Sequence, residues 1–278
     1  MFRYIINKLK NTYSQKTDYS LIENSNIPLS EIINESRVLA PAISEIINEI
    51  NNSIIPGMTT IELERISKEI IEEKGFIPAM LGYNGYPAAT GISINEEILH
   101  AIPSSRKILE GDLVTIQTSI RGKAAFASQG WTFKVGSVSE KNSKFHKIGQ
   151  IALKEGIGSI VSGSCIGDIG ATIQSVIEGA GYSVIRDFVG TGMGKRMIQE
   201  PNIPCFGKRG IWAKIKPGMI LNIHVIASMG ESNLYIADDN WTAVTSDNQP
   251  SVLFTAMVLI EQSDVSILSD LIGTHKGS

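Results

Sequence analysis

The sequence predicts an α+β fold in which two similar halves are built around a shared sheet. Two helical patterns come before a cluster of strand-like runs, and this arrangement occurs twice, roughly a hundred residues apart. The breaks between the paired helices also match, with Pro56-Gly57 in the first half and Ser162-Gly163 in the second. Because the strands cluster after helix pairs and do not alternate with single helices, a doubly wound sheet is disfavoured.

The first half begins with a helical pattern. From Ser30 onward, isoleucines recur largely at steps of three and four residues, which is typical of an amphipathic helix. Pro41 is expected to kink or restart this helix, and Pro56-Gly57 ends it. Thr59-x-x-Glu62 is a capping box, so it predicts the start of a second helix. The later predicted elements are strands at 90–98 and 112–119, helices at 144–160 and 168–180, and strands at 182–187, 219–227, 233–238 and 251–260.

The composition excludes several classes of protein. The chain has 278 residues, of which 42% are hydrophobic and 19% are charged, as in globular proteins with a sizeable core. Its formal net charge of -3 argues against non-specific binding of nucleic acid. No apolar run reaches the roughly 20 residues that span a bilayer, and two cysteines are too few for a disulfide framework. We therefore expect a cytoplasmic protein with no nucleic-acid or membrane partner.

The domain boundaries follow from the same patterns. Residues 1–28 are predicted to be an N-terminal extension, and residues 271–278 a C-terminal tail. The first ten residues lack a long apolar stretch and a cleavage site, so they are not expected to be a signal peptide. The apolar residues between positions 2 and 9 would form one face of a short helix, but a loosely packed arm is favoured. Residues 29–270 have no Pro/Gly/Ser-rich linker and are predicted to form one domain.

Several short motifs point to a family. They are Leu81–Pro87 (LGYNGYP), Ile92–Glu96 (ISINE), His100–Pro103 (HAIP), Gly190–Gly194 (GTGMG), Glu200-Pro201, Lys216–Met219 (KPGM) and Asn240–Thr242 (NWT). In their order and spacing, over about 30–260, the chain resembles the type I methionine aminopeptidases. The resemblance implies the pita-bread fold, with two pseudo-symmetric halves around a curved, mostly antiparallel sheet.

The resemblance also implies a site for two metal ions held by two aspartates, a histidine and two glutamates. The five positions that match these ligands hold Gln117, Ser128, Thr191, His224 and Thr255. Hard divalent cations select carboxylates over neutral amides and hydroxyls. We therefore expect no metal ligands and no cofactor, although a single transition metal on His100 and His224 remains an alternative. The polar replacements suit a small polar ligand or a network of ordered water.

Other family positions hold residues that suit a binding cleft. The resemblance places His100 beside the reacting amide, and Tyr83, Tyr86 and Trp241 around the methionine side chain, where Met197 replaces a phenylalanine. Core packing and a scaffold role for the histidine are the alternatives.

A further substitution removes a catalytic side chain that the resemblance implies. Ile198 stands where the family has a second histidine, which polarises the substrate carbonyl.

These residues lead to three hypotheses on function. The first is a metal-free protein, not an active aminopeptidase, whose cleft binds a peptide, an amino-acid-like group or a small molecule. The second is a metal-independent enzyme resembling creatinase, in which His100, with or without His224, is the general acid–base. The third is an active methionine aminopeptidase. The sequence favours the first, and it does not specify an oligomeric state.

Overall fold

The computed structural model describes residues 26–272. Most of the predicted N-terminal extension, including the conceivable helix at residues 2–9, lies outside the described residues, as do residues 273–278. The boundaries of the extension and of the tail therefore stay predictions. No helix within residues 26–272 is long and apolar enough to cross a membrane.

Four α-helices, one short 3₁₀ helix (Tyr83–Gly85) and thirteen strands make up the described part of the chain. The helices are α1 (Leu29–Asn52), α2 (Thr60–Glu73), α3 (Glu140–Gly158) and α4 (Ile166–Gly179). The strands are β1 (Ile77–Pro78), β2 (Thr90–Ile94), β3 (Glu97–Leu99), β4 (Leu113–Arg121), β5 (Phe126–Lys134), β6 (Ser183–Val184), β7 (Gly190–Met193), β8 (Gln199–Ile203), β9 (Ile220–Ser228), β10 (Leu234–Ile236), β11 (Ala243–Thr245), β12 (Ser251–Ile260) and β13 (Val265–Ile267).

The large sheet has the pseudo-symmetry that the sequence predicts. Its strands follow the order β1-β4-β5-β12-β9-β7-β8, while β2 pairs with β4, β6 with β9 and β13 with β12. The strands β5 and β12 meet in the middle, and the nine-residue strands β4 and β9 flank them. Each of these two strands also pairs with shorter strands, β1 and β2 on one side and β6 and β7 on the other. Every one of these pairs is antiparallel, so the predicted α+β pita-bread fold is confirmed.

The helix breaks repeat in the two halves as predicted. Glu62 accepts a hydrogen bond from the backbone N–H of Thr59, and Asp168 accepts the equivalent bond from Cys165, both at 2.7 Å. A positive φ at Gly163 (86°), like that at the glycine of the first break, turns the chain ahead of the second helix of the pair. The matching sequence signals therefore have matching backbone roles.

The prediction that Pro41 restarts the helix is wrong, because α1 runs without interruption over 24 residues. The missing N–H of Pro41 costs one hydrogen bond, but the buried side of α1 packs on β4 and β5 and keeps the helix together.

The strand β5 was not predicted, because Ser128, Gln129 and Thr132 break its apolar pattern. All three are buried, and their polar atoms have partners: Gln129 accepts a bond from Ser44, and the Thr132 and Thr115 hydroxyls lie 2.7 Å apart. Packing in the interior thus overrides a pattern that would indicate a loop.

Candidate active site

A cavity of about 530 Å³ lies against one face of the large sheet. Its floor is formed by alternate residues of β4, β5, β7 and β9, and its walls come from the segments 80–86, 187–189 and 196–202 and from Trp241. Because side chains alternate across a strand, only every second residue of each strand faces this space. The volume is in the range of sites that bind small ligands.

The structure brings nine of the ten residues that the sequence singles out to this cavity. They are Tyr83, Tyr86, His100, Gln117, Ser128, Thr191, Met197, His224 and Trp241. The exposed side chain of Ile198 also lies at its edge. These placements give the residues a common site, while their roles in binding or catalysis stay predictions.

Thr255 is the residue that the structure does not bring to the cavity. It is fully buried on β12, and its hydroxyl accepts a hydrogen bond of 2.9 Å from the backbone N–H of Gly130 on β5. Without a side chain at Gly130, Leu253 and Thr255 pack over the neighbouring strand. Thr255 lies opposite His224 on the same face of the sheet, but its hydroxyl joins β5 to β12 and does not line the cavity.

Two histidines line the cavity, His100 after β3 and His224 on β9. His100 has a positive φ of 58°, and its ring lies edge-on to Phe188, with the centroids 5.8 Å apart. Burial lowers the pKa of His100 to about 4. Burial, together with the nearby His100, lowers the pKa of His224 to about 4 as well. Both imidazoles are therefore neutral near pH 7, so each can accept one hydrogen bond and donate another.

An aromatic wall adjoins His100. The rings of Tyr86 and Trp241 meet edge to face with their centroids 5.1 Å apart, and the Tyr86 hydroxyl donates a hydrogen bond of 2.9 Å to the carbonyl of Ala101. Met80 packs against the same rings. The contacts between these rings fix an apolar surface next to the polar floor.

A half-buried carboxyl group lies close to Tyr86 of the aromatic wall. Glu64 on α2 accepts hydrogen bonds from the backbone N–H groups of Ala89, at 2.7 Å, and Thr90, at 3.0 Å. Burial raises the pKa of Glu64 to about 7, against the opposite effect of these bonds. The acidic residues that line the cavity itself are Asp187 and Glu200. Across residues 26–272, no cluster of three or more His, Cys, Asp or Glu side chains could hold a metal ion.

Sequence reasoning missed Asn222 and Phe188. Asn222 is buried on β9, and its amide group donates a hydrogen bond of 3.3 Å to the carbonyl of Ser128 on β5. It lies two residues before His224, so the alternation of the predicted strand could have placed both on one face. Phe188 lies in a loop, and no periodic signal marks it.

The fold and the cavity together define a class of protein. A model of metallopeptidase family M24 matches residues 35–262, so the chain belongs to that family. It is 34% identical to the methionine aminopeptidase of Clostridium perfringens over 82% of this chain and 91% of the relative. To methionine aminopeptidase B of Synechocystis it is 36% identical, over 85% of this chain and 89% of the relative.

Solved structures agree with this assignment. A methionine aminopeptidase from Rickettsia prowazekii superposes with a TM-score of 0.84 at 27% identity, covering 87% of this chain and 98% of that one. The enzyme from Thermotoga maritima gives a TM-score of 0.83 at 31% identity, covering 88% and 99%. A prolidase from Pyrococcus horikoshii, 16% identical with a TM-score of 0.65, shares the fold.

The comparisons correct the favoured hypothesis on function. The sequence led us to predict a metal-free binding protein that is not an active aminopeptidase. That prediction is wrong, because relatives 34 and 36% identical over more than four fifths of the chain are named methionine aminopeptidases. The prediction rested on the five positions that lack the family's metal ligands, and it gave too little weight to the similarity along the rest of the chain.

Proposed function

We propose that this protein is an aminopeptidase that releases an N-terminal methionine from peptides. The observation that carries the proposal is the cavity, in which an apolar wall stands beside a polar floor. The rings of Tyr86 and Trp241 suit a thioether side chain, since sulfur packs favourably on aromatic edges. The relatives named methionine aminopeptidases support the same substrate.

The family name implies metal ions, and the donor set at this cavity does not fit a pair of divalent cations. Of the five positions that the resemblance gives to ligands, His224 is the one imidazole, and the others are an amide and three hydroxyls. The hydroxyl of Thr255 is held by Gly130. Hard divalent cations require anionic oxygens in such a pocket. The proposed reaction therefore uses the chain's own groups.

The chain's own groups can support hydrolysis at the polar floor. In the proposed reaction, a neutral imidazole of His100 or His224 takes a proton from water while the water oxygen bonds to the carbonyl carbon. The C–N bond of the peptide then breaks, and the proton passes to the leaving amine. The burial that lowers both pKa values keeps these imidazoles unprotonated near neutral pH. The aromatic wall holds the methionine side chain and excludes water from it.

The test is release of free methionine from a Met-Ala-Ser peptide, measured by chromatography. The assay is run in parallel with added manganese or cobalt and with a chelator. Methionine released in the chelator arm, and lost in His100→Gln, supports the proposal together with the histidine mechanism. Release in the metal arms alone supports the activity and contradicts our reading of the donor set. The absence of release in all arms, from protein that is folded by circular dichroism, contradicts the proposed function.

A further inference from the structure

Three buried polar atoms at the cavity floor have no hydrogen-bond partner within the described part of the chain. They are the amide oxygens Gln117 Oε1 and Asn222 Oδ1 and the ring nitrogen His224 Nε2. All three residues line the cavity. A buried polar atom without a partner costs free energy, so such a group commonly marks the place of a ligand or of an ordered water.

These three groups lie on two strands, β4 and β9, that line the same cavity. Asn222 and His224 lie two residues apart on β9, so their side chains share a face. The side chain of Asn222 reaches over β12 to hydrogen-bond Ser128 on β5, although β5 and β9 are not neighbours in the sheet. Strand β5 pairs with β4, in which Gln117 lies opposite Gly130.

The chemistry of the three atoms selects the ligand. The bond from Asn222 to the carbonyl of Ser128 uses its NH₂ group and fixes its oxygen as the free acceptor. Two amide oxygens disfavour an anion and require a group with at least two N–H or O–H donors. The imidazole of His224 completes the set, since its Nε2 can donate or accept. A primary amine matches all three atoms, because its nitrogen carries two hydrogens and a lone pair, or three hydrogens when protonated.

We propose that Gln117, Asn222 and His224 form the binding site for the free primary amine of the ligand. The inference rests on the proposed function, in which that group is the α-amine of the N-terminal methionine, and with His224 bound to the amine the proton from water goes to His100. A carboxamide matches two of the three atoms, and an N-acylated amine offers one hydrogen in place of two. The site therefore explains how the protein distinguishes a free from a blocked N-terminus with neutral side chains.

The experiment measures equilibrium binding and needs no turnover. Isothermal titration calorimetry is carried out with L-methioninol, N-acetyl-L-methioninol and the deamino analogue, with a chelator present. We expect L-methioninol to bind at least tenfold more tightly than the other two, as the loss of one or two buried hydrogen bonds implies. Equal binding of the three probes, or no binding of L-methioninol, overturns the inference. Tight, selective binding without release of methionine leaves the inference standing and refutes the proposed activity.

Variants connect the preference to these residues. Gln117→Met and Asn222→Leu remove the amide oxygens at similar volume, and each is expected to reduce the preference for the free amine to about threefold or less. Thr90→Val is the matched control, because Thr90 Oγ1 is also buried without a partner in the described chain but lies away from the cavity. It is expected to keep the preference.

A variant that is expected to bind more tightly is also needed, because a loss of binding could result from misfolding. Gln117→Glu places an anionic acceptor at the amine, and charge-assisted hydrogen bonds are roughly twice as strong as neutral ones. We expect this variant to bind L-methioninol several-fold more tightly, with the binding of N-acetyl-L-methioninol unchanged. Unchanged or weaker binding of L-methioninol by folded Gln117→Glu overturns the assignment of Gln117.

Discussion

Gln117 and His224 occupy equivalent positions in the two halves of the sheet. Each is the fifth residue of a nine-residue strand, β4 or β9, and each strand flanks the central pair β5–β12. Their partners across the ladder, Gly130 and Thr255, are joined by the hydrogen bond from the Gly130 N–H. The pseudo-symmetry of the fold therefore aims one polar side chain from each half at the same cavity.

The first prediction concerns the aromatic wall. Replacing Trp241 by Ala removes half of the edge-to-face pair with Tyr86, and truncating such an anchor commonly costs about 2 kcal/mol of binding. We expect KM for a Met-Ala-Ser peptide, or Kd for L-methioninol, to rise by about 30-fold. Trp241→Phe keeps an aromatic ring at this position, so it should raise these constants by a smaller factor. Trp212→Ala, at an exposed tryptophan outside the cavity, is the control and should change neither constant.

The second prediction is that the low pKa of His100 makes stability depend on pH. The pKa of His100 in the folded protein is about 4, below the ordinary 6.5, so between these values the unfolded chain binds more protons. Its contribution to the free energy of unfolding therefore falls as the pH is lowered from 6.5 to 4. The stability difference between wild type and His100→Gln reports this effect together with the change in the pKa of His224, to which His100 contributes, while the remaining groups cancel. Urea denaturation measures the free energy of unfolding of both proteins at pH 7.5, 6 and 5, and the value for wild type minus that for the variant should fall at each step. A difference that does not depend on pH contradicts the lowered pKa of this imidazole.

Much of this architecture could be predicted from the sequence, because its signals are local. Capping residues such as Thr59 and Asp168 act within one helical turn, and the apolar patterns of β9 and β12 reflect burial in the strand itself. The positions of Thr255 and Asn222 could not be predicted in the same way. Whether their polar atoms face the cavity depends on a partner strand, through bonds to Gly130 and to Ser128.

The third prediction concerns Glu64, whose effect on the change of stability with pH is opposite in sign to that of His100. Its folded-state pKa of about 7 lies above the ordinary 4.5, so the folded protein binds more protons between these values. Its contribution to the free energy of unfolding is present below pH 4.5 and is lost as the pH rises through 7. Glu64→Gln removes this titration while keeping one oxygen for the N–H of Ala89 or Thr90. The stability of the variant minus that of wild type should rise from pH 4.5 to 7 and level off above pH 8.

Gly190 makes the last prediction, since it determines how closely β7 approaches the strand that carries Asn222 and His224. A Cβ added at Gly190 would lie 2.4 Å from the carbonyl oxygen of Asn222 and 3.0 Å from the amide nitrogen of His224. Both contacts are with backbone, so the strands must separate. We expect Gly190→Ala to lower the free energy of unfolding by about 2 kcal/mol or more.

The same displacement should reach the cavity floor, so Gly190→Ala is also expected to weaken the binding of L-methioninol in protein that remains folded. Gly158→Ala is the matched control, because a Cβ at this helical glycine meets nothing within 4 Å. Higher helix propensity should make that variant about 0.5 kcal/mol more stable than wild type. Urea denaturation and calorimetry on both variants provide the comparison. If Gly190→Ala is as stable as Gly158→Ala, the two strands can move apart freely, and the close approach of β7 does not position Asn222 and His224.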